Sequence, residues 1–330
     1  MNTANTPVLS EESPILNFTV NEPEIGKRLD TFLAEKIEGW SRSRLRRLID
    51  DGDALVNQRA AKASYRLHEN DEIEVDLTEV PPAGFEPEDI PLDVVFEDEY
   101  LAVINKPARM VVHPGAGVSS GTLANAIAYH FGRRSVVTGE LNVGDSARVG
   151  IVHRLDKDTS GLIVVAKNEE THEALSEQFR NREVNKKYVA LVHGSTRENS
   201  GTIDRPMARD RWHRTKMTVA ANGRSALSLW KVRQRFDKFT LVDVEIKTGR
   251  THQIRVHLAS INHPVVGDET YNEGRDNTVA DVDIKNGIRI IDRFFLHAEF
   301  LSFTHPKSGE PMEFKCALPA ELTKLLETLE

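Results

Sequence analysis

One cysteine, Cys316, stands among 330 residues. That excludes an intramolecular disulfide and any cysteine-rich zinc site, and it fits a reducing compartment. Apolar runs such as Gly161–Ala166 are strand-length, far short of the ~20 residues that span a bilayer. Met1–Asn17 has neither a basic n-region nor an apolar h-region, so no secretory leader is expected and the chain reads as soluble and cytoplasmic. Internal repeats and low-complexity segments are also missing. Lys and Arg are absent from Leu67–Glu99, which holds thirteen Asp and Glu.

That last absence changes the meaning of the net charge. A total of −8 argues against a polyanionic partner, yet most of the acidity sits in that one stretch. Gly26–Arg66 carries ten Lys and Arg against six Asp and Glu, so the charge is segregated along the chain. With 39% hydrophobic and 28% charged residues the balance is globular, and the length suits two domains.

Residues 1–21 read as a polar tail. Residues 22–77 read as a small module. Leu29, Phe32, Leu33 and Ile37 recur at helical spacing, and Ser41 offers an N-cap to a second helix whose core face is Leu45, Leu48 and Ile49. Two short strands follow, at Ala54–Asn57 and Glu72–Leu77. Residues 78–91 hold Pro81, Pro82, Pro87 and Pro91, a stiff linker. Residues 92–330 then show strand-like runs at Val94–Phe96, Leu101–Ile104, Gly161–Ala166, Tyr188–Val192, Leu241–Ile246 and Phe300–Phe303. Helical patterns intervene at Leu123–Phe131, Glu169–Arg182, Gln253–Ser260 and Ala320–Leu329. Strands without regular strand–helix alternation predict an α+β fold. The polar stretch Tyr271–Arg289 gives no clear element.

The densest chemistry lies in Gly150-Ile-Val-His-Arg-Leu-Asp-Lys-Asp-Thr-Ser-Gly161, where His153, Arg154, Asp156, Lys157 and Asp158 share one loop ahead of an apolar strand. Catalytic groups are often carried on loops fixed by a scaffold. A solvated turn whose Asp158, Thr159 and Ser160 bond the backbone fits the same pattern. Arg42, Arg44, Arg46 and Arg47 crowd one short helix, where they suit either backbone phosphates or a solvated face.

Other signals carry no chemistry. Gly115-x-Gly117-x-x-x-Gly121 lacks dinucleotide spacing and reads as a turn. His172-Glu173 has Ser176 where a zincin needs its second His. His252, His257, His263, His297 and His305 are expected to make structural hydrogen bonds, with no metal. Cys316 reads as a small packing residue.

His153-Arg-Leu-Asp156 with Asp158-Thr-Ser-Gly161 resembles the catalytic loop of the RluA-type RNA pseudouridine synthases. Asn105-Lys-Pro107 with Val111-Val-His-Pro-Gly115, Lys186-Lys-Tyr-Val-Ala190, and Thr248-Gly-Arg-Thr-His-Gln-Ile-Arg-Val-His257 resemble three further family segments in the same order. Gly26-Lys-Arg-Leu-Asp30, Ser41-Arg-Ser43, Val56-Asn57 and Asn70-Asp71 resemble an S4 RNA-binding domain, which favours the phosphate reading of the four arginines. Glu86–Asp93 and His113–Gly117 are most similar to the subgroup called synthase D, which modifies 23S ribosomal RNA, with the synthase C subgroup next.

The resemblance implies a central, mostly antiparallel sheet with an RNA cleft, and cofactor-free isomerisation of uridine to pseudouridine. It implies Asp156 as the catalytic carboxylate, Arg255 as its charge partner, and Tyr188 stacked on the uracil. It implies RNA contacts from Arg154, which would fill the place of the flipped-out base, and from His153, Lys106 and Arg250. Ribosomal RNA or the precursor large subunit is the expected partner, and a monomer the expected state. A non-catalytic ribosome assembly factor and a metal-dependent phosphoesterase are the rival readings.

Overall fold

The computed structural model describes residues 15–37, 40, 42–50, 52–77, 86–114, 118–132, 150–213 and 216–330. The expected Ser41 cap, the turn at Gly115–Gly117 and most of the proline-rich linker lie outside the described residues. The chain divides into two compact units, Met1–Ile90 with His113–Arg148, and Pro91–Val112 with Val149–Glu330.

In the first unit, β1 (Ile15–Thr19) is followed by α1 (Leu29–Lys36), α2 (Arg42–Asp50), β2 (Ala54–Val56), β3 (Arg59–Ala60) and β4 (Glu72–Asp76). The sheet order is β1-β4-β2-β3, all antiparallel. Phe32, Leu33, Leu45, Ile49, Ile73 and Val75 form its core, each apolar side chain contributing about 1.5–3 kcal/mol by burial. β1 corrects the expected tail, because the module starts no later than Ile15. Phe18 faces Ile73 in register and meets Phe32 edge-on at 5.8 Å, so this segment closes the sheet edge over the core.

The same unit includes α3 (Leu123–His130). Thr122 accepts from the Asn125 amide as its N-cap. The Asn125 side chain donates to the Glu86 carbonyl at 2.7 Å, and the Glu88 carboxylate accepts from the Gly121 amide at 3.0 Å. These bonds tie α3 and its cap to Glu86 and Glu88 of the first unit, so residues 92–330 do not form one continuous block. They also show that the last residues of the expected linker are tied down.

The second unit contains β5 (Val94–Glu97), β6 (Leu101–Lys106), β7 (Ser160–Ala166), α4 (Glu169–Arg180), β8 (Asn185–His193), β9 (Ser200–Asp204), β10 (Met207–Arg209) and β11 (Met217–Val219). β12 (Leu227–Arg235), β13 (Phe239–Ile246), α5 (Gln253–Ser260), α6 (Val282–Ile291), β14 (Leu296–Thr304), β15 (Pro311–Lys315) and α7 (Ala320–Glu327) follow. The main sheet runs β5-β6-β7-β14-β8-β13-β12-β9, with β15 on β14, and β10–β11 stand apart as a hairpin. Every described pairing is antiparallel except β7 with β14, so the α+β, mostly antiparallel expectation holds.

That parallel pair positions the site. β14 arrives late in sequence yet lies between β7 and β8, so His297 and Ala298 face Ser160 and Gly161. Gly161 has φ +117°, and a Cβ there would meet the Ala298 backbone. Only glycine fits so close a crossing. Among the described residues, no helix is long and apolar enough to cross a membrane.

Candidate active site

The loop from Gly150 to Thr159 is closed at its base by the Ala166 amide donating to the Gly150 carbonyl at 2.7 Å. At its other end the Ser160 hydroxyl and His297 Nδ1 share a 2.9 Å hydrogen bond. Inside it, the Thr159 amide turns back onto the Asp156 carbonyl at 3.1 Å. Two buried cations hold the next two carbonyls. Lys106 Nζ reaches Lys157 O at 3.0 Å, and Arg293 Nη1 reaches Asp158 O at 3.0 Å. The backbone on either side of Asp156 is thereby fixed before any substrate arrives.

Lys106 was expected to contact RNA, and the structure corrects this. It is fully buried, and its Nζ also donates to Pro107 O and Met110 O at 2.8 Å. Burial pushes its amine down to about 7, while the charges of Asp158 and Asp156 pull the other way. Three carbonyls call for three N–H donors, and only the ammonium has three. Its work is inside the protein.

His153, also expected to contact RNA, is half-buried on the same loop. Its Nε2 accepts from the Val164 amide at 3.0 Å and its ring stacks on Phe179 at 4.6 Å. Burial, then the charge of Lys186, pushes it down to about 3, so it is a neutral acceptor that pins the loop to β7. Lys186 itself is pushed by burial to about 8, and lies 5.1 Å from the Phe179 ring centre.

Asp156 meets Arg255 across 99 residues of sequence. Arg255 Nη1 donates to Asp156 Oδ2 at 3.2 Å, with the two side chains 4% and 14% exposed. Arg255 comes from α5, whose N-cap His252 sits in the left-handed region at φ 56°. The guanidinium is surrounded. Asp268 takes Nε and Nη2 at 2.7 and 2.9 Å, and the rings of Phe294 and Tyr271 lie 4.2 and 5.0 Å away. Bidentate pairing of this kind fixes direction as well as charge. Tyr188, 6% exposed on β8, is close enough to Asp156 to feel its charge; burial first, then that charge, pushes the phenol up and keeps it neutral.

Asp156, Arg255 and Tyr188 are thus brought together, with Arg154 half-buried on the same loop. Arg250 is half-buried just ahead of α5, its Nε 3.4 Å from the Ser225 carbonyl. In the other unit, Arg42 is 55% exposed and bonds Asp30 at 3.2 Å, and Arg46 is exposed. The side chains of Arg44 and Arg47 lie outside the described residues. The histidines take protein partners: His252 on Tyr271, His257 on Ser228 and Arg205, His263 on His193, His297 on Ser160, His305 on Asp98. Cys316 Sγ lies 3.2 Å from His297 Nε2, and burial raises its thiol to about 12.

Asp268, Tyr271, Arg293 and Phe294 were missed by sequence reasoning. Tyr271 opens the polar stretch that gave no clear element, and Asp268 lies just ahead of it. Their roles come from contacts made at a distance, which no periodicity reports.

A family model for RNA pseudouridylate synthases matches residues 100–260, and an S4 domain model matches residues 27–73. An uncharacterized RNA pseudouridine synthase of Bacillus subtilis (strain 168) is 40% identical over 95% of this chain and 98% of its own length. Ribosomal large subunit pseudouridine synthase D of Escherichia coli (strain K12) is 39% identical over 95% of this chain and 94% of its own. Among solved structures, human RNA pseudouridylate synthase domain containing 1 superimposes with a TM-score of 0.53 at 25% identity, covering 75% of this chain and 96% of that one. Lys106, Tyr188 and Arg255, each from a motif that resembled this family, meet the loop that carries Asp156, and likeness over nearly the whole length includes an S4 domain. The chain therefore belongs to the RNA pseudouridine synthase family, as an isomerase.

Proposed function

We propose that the protein converts uridines of large-subunit ribosomal RNA to pseudouridine, with Asp156 as the catalytic carboxylate. The observation that carries this reading is the Asp156–Arg255 pair beside the buried phenol of Tyr188. The isomerisation breaks C1′–N1, joins C1′ to C5, moves a proton onto N1 and releases the one on C5. Attack at C1′, addition at C6 and abstraction at C2′ all need an anionic carboxylate. A guanidinium fixed 3.2 Å away suits that charge. Tyr188 offers a flat neutral face on which the detached uracil can stack and turn.

The target base has to leave its stack first. Arg154, on the loop beside Asp156, is suited to fill the vacated place because a planar guanidinium stacks and hydrogen-bonds at once. Ribosomal RNA as substrate is supported by the names of the relatives and by the S4 domain.

The test is tritium release from C5-labelled uridine in large-subunit rRNA, naked or in precursor particles. Release by the wild type and none by Asp156→Asn is expected. Silence of the wild type on both substrates would sink the substrate assignment, and release by Asp156→Asn would sink the role of the carboxylate.

A further inference from the structure

The β10–β11 hairpin is separate from the main sheet but not from the catalytic helix. Met207 of β10 and Val256 of α5 are buried in one small apolar cluster, with Met217, Val219 and Tyr271 packed against it. Val256 is the chain neighbour of Arg255. Two hydrogen bonds tie the hairpin to the segment after Asp268: Lys216 Nζ donates to Thr270 O, and the Met217 amide donates to the Tyr271 hydroxyl, both at 2.8 Å.

Tyr271 touches both sides of this junction. Its hydroxyl takes the hairpin amide and shares a 2.7 Å hydrogen bond with His252 Nδ1, at the cap of α5. Its ring lies 5.0 Å from the Arg255 guanidinium. Burial pushes the phenol up, so the hydroxyl stays protonated and able to bridge the two.

Beyond β10 the chain presents an exposed aromatic. The Asp210 carboxylate accepts from the amides of Trp212 and His213 at 2.8 Å, a turn that leaves Trp212 88% exposed. Arg209, Arg211, His213 and Lys216 surround that indole in sequence. An exposed aromatic among cations is the pattern that stacks on a base and tracks a phosphate backbone.

We propose that Tyr271 is a positioning residue that carries the placement of the hairpin to Arg255, so that RNA held at Trp212 sets the guanidinium facing Asp156. This rests on the pseudouridine synthase reading above. A hairpin that shifts moves the Met217 amide, and the hydroxyl, the α5 cap and the ring over Arg255 move with it.

Tyr271→Phe keeps the ring on Arg255 and removes only the bridge. The coupling is read first without turnover, in the Asp156→Asn background, as the shift of the Arg255 Nε–H NMR signal on adding the target rRNA fragment. RNA is expected to move that signal with Tyr271 present and to leave it in place in Tyr271→Phe, or after Trp212→Ala. Single-turnover tritium release then gives the second measure. Each single variant is expected to be about tenfold slower, and the double variant within about twofold of either, because both cut one chain of contacts. A signal that still moves in Tyr271→Phe, or rates that multiply to about a hundredfold loss in the double variant, would overturn the proposal. Since the NMR shift needs no chemistry, a protein that never released tritium would refute the function while this coupling was still judged on its own.

Discussion

Asp268 occupies Nε and Nη2 of Arg255, at 2.7 and 2.9 Å, and thereby aims the remaining nitrogen, Nη1, at Asp156. The Asp268 side chain has no solvent exposure and that of Arg255 has 4%. The carboxylate and the guanidinium are therefore a buried pair whose geometry serves a third residue.

Asp268→Asn keeps the shape and removes the charge, which takes from a buried guanidinium the closer of its two carboxylates and leaves only Asp156. A loss of about 3–5 kcal/mol in urea unfolding is expected, since breaking one side of a buried pair is costly. Turnover in the tritium assay should fall about a hundredfold, because Nη1 is no longer aimed. Wild-type values in both assays would show that the pair does not orient the site.

Lys106→Met leaves the carbonyls of Pro107, Met110 and Lys157 without their donor. Unsatisfied buried acceptors cost about 1–3 kcal/mol each before relaxation, so a clear drop in the unfolding midpoint is expected. The loop around Asp156 should also exchange its amide hydrogens faster. If RNA affinity fell while midpoint and exchange held steady, the lysine would be a substrate contact after all.

Gly161→Ala puts a Cβ into the backbone of Ala298 at φ +117°. The position is glycine-only, and a loss of at least about 2 kcal/mol is expected, read by thermal melting. A melting temperature equal to wild type would mean the β7–β14 crossing adjusts freely.

Asp30 gives the first unit an acid sensitivity. Hydrogen bonds from Arg28 and then Arg42 lower its carboxyl from 3.8 to about 2. Its folded value lies below its unfolded one, so its contribution is present above about pH 4 and is lost as pH falls through about 2. The melting difference between wild type and Asp30→Asn should close across that interval. A difference that stays constant from pH 5 to pH 2 would remove the ion pairs from the account.

The helix at Gln253–Ser260 matched its expected bounds although six consecutive residues, Gln253 to Leu258, are buried and no single apolar stripe marks it, and β7 was legible as an apolar run after a charged loop. β12 was not. Its residues Lys231 to Arg235 are mostly exposed and polar, so no alternation marks it as a strand. α6 hid for the opposite reason: Val282 and Ile290 are apolar yet 68% and 72% exposed, which blurs the face that packs.

By itself the sequence determined which ionisable groups lie together in one local segment, because residue type and short-range spacing are local properties. His153 to Gly161 and Thr248 to His257 stood out as functional segments through their resemblance to the pseudouridine synthases, since spacing alone fits a solvated turn as well. Only the tertiary structure decided what each group does there. Lys106 and His153, cations by type, became internal ties once burial and backbone partners claimed them. Arg293 and Asp268 gained their roles only when β14 entered between β7 and β8 and the chain after α5 folded back onto it. Contacts across such distances depend on strand order, and strand order is settled by which apolar faces bury together.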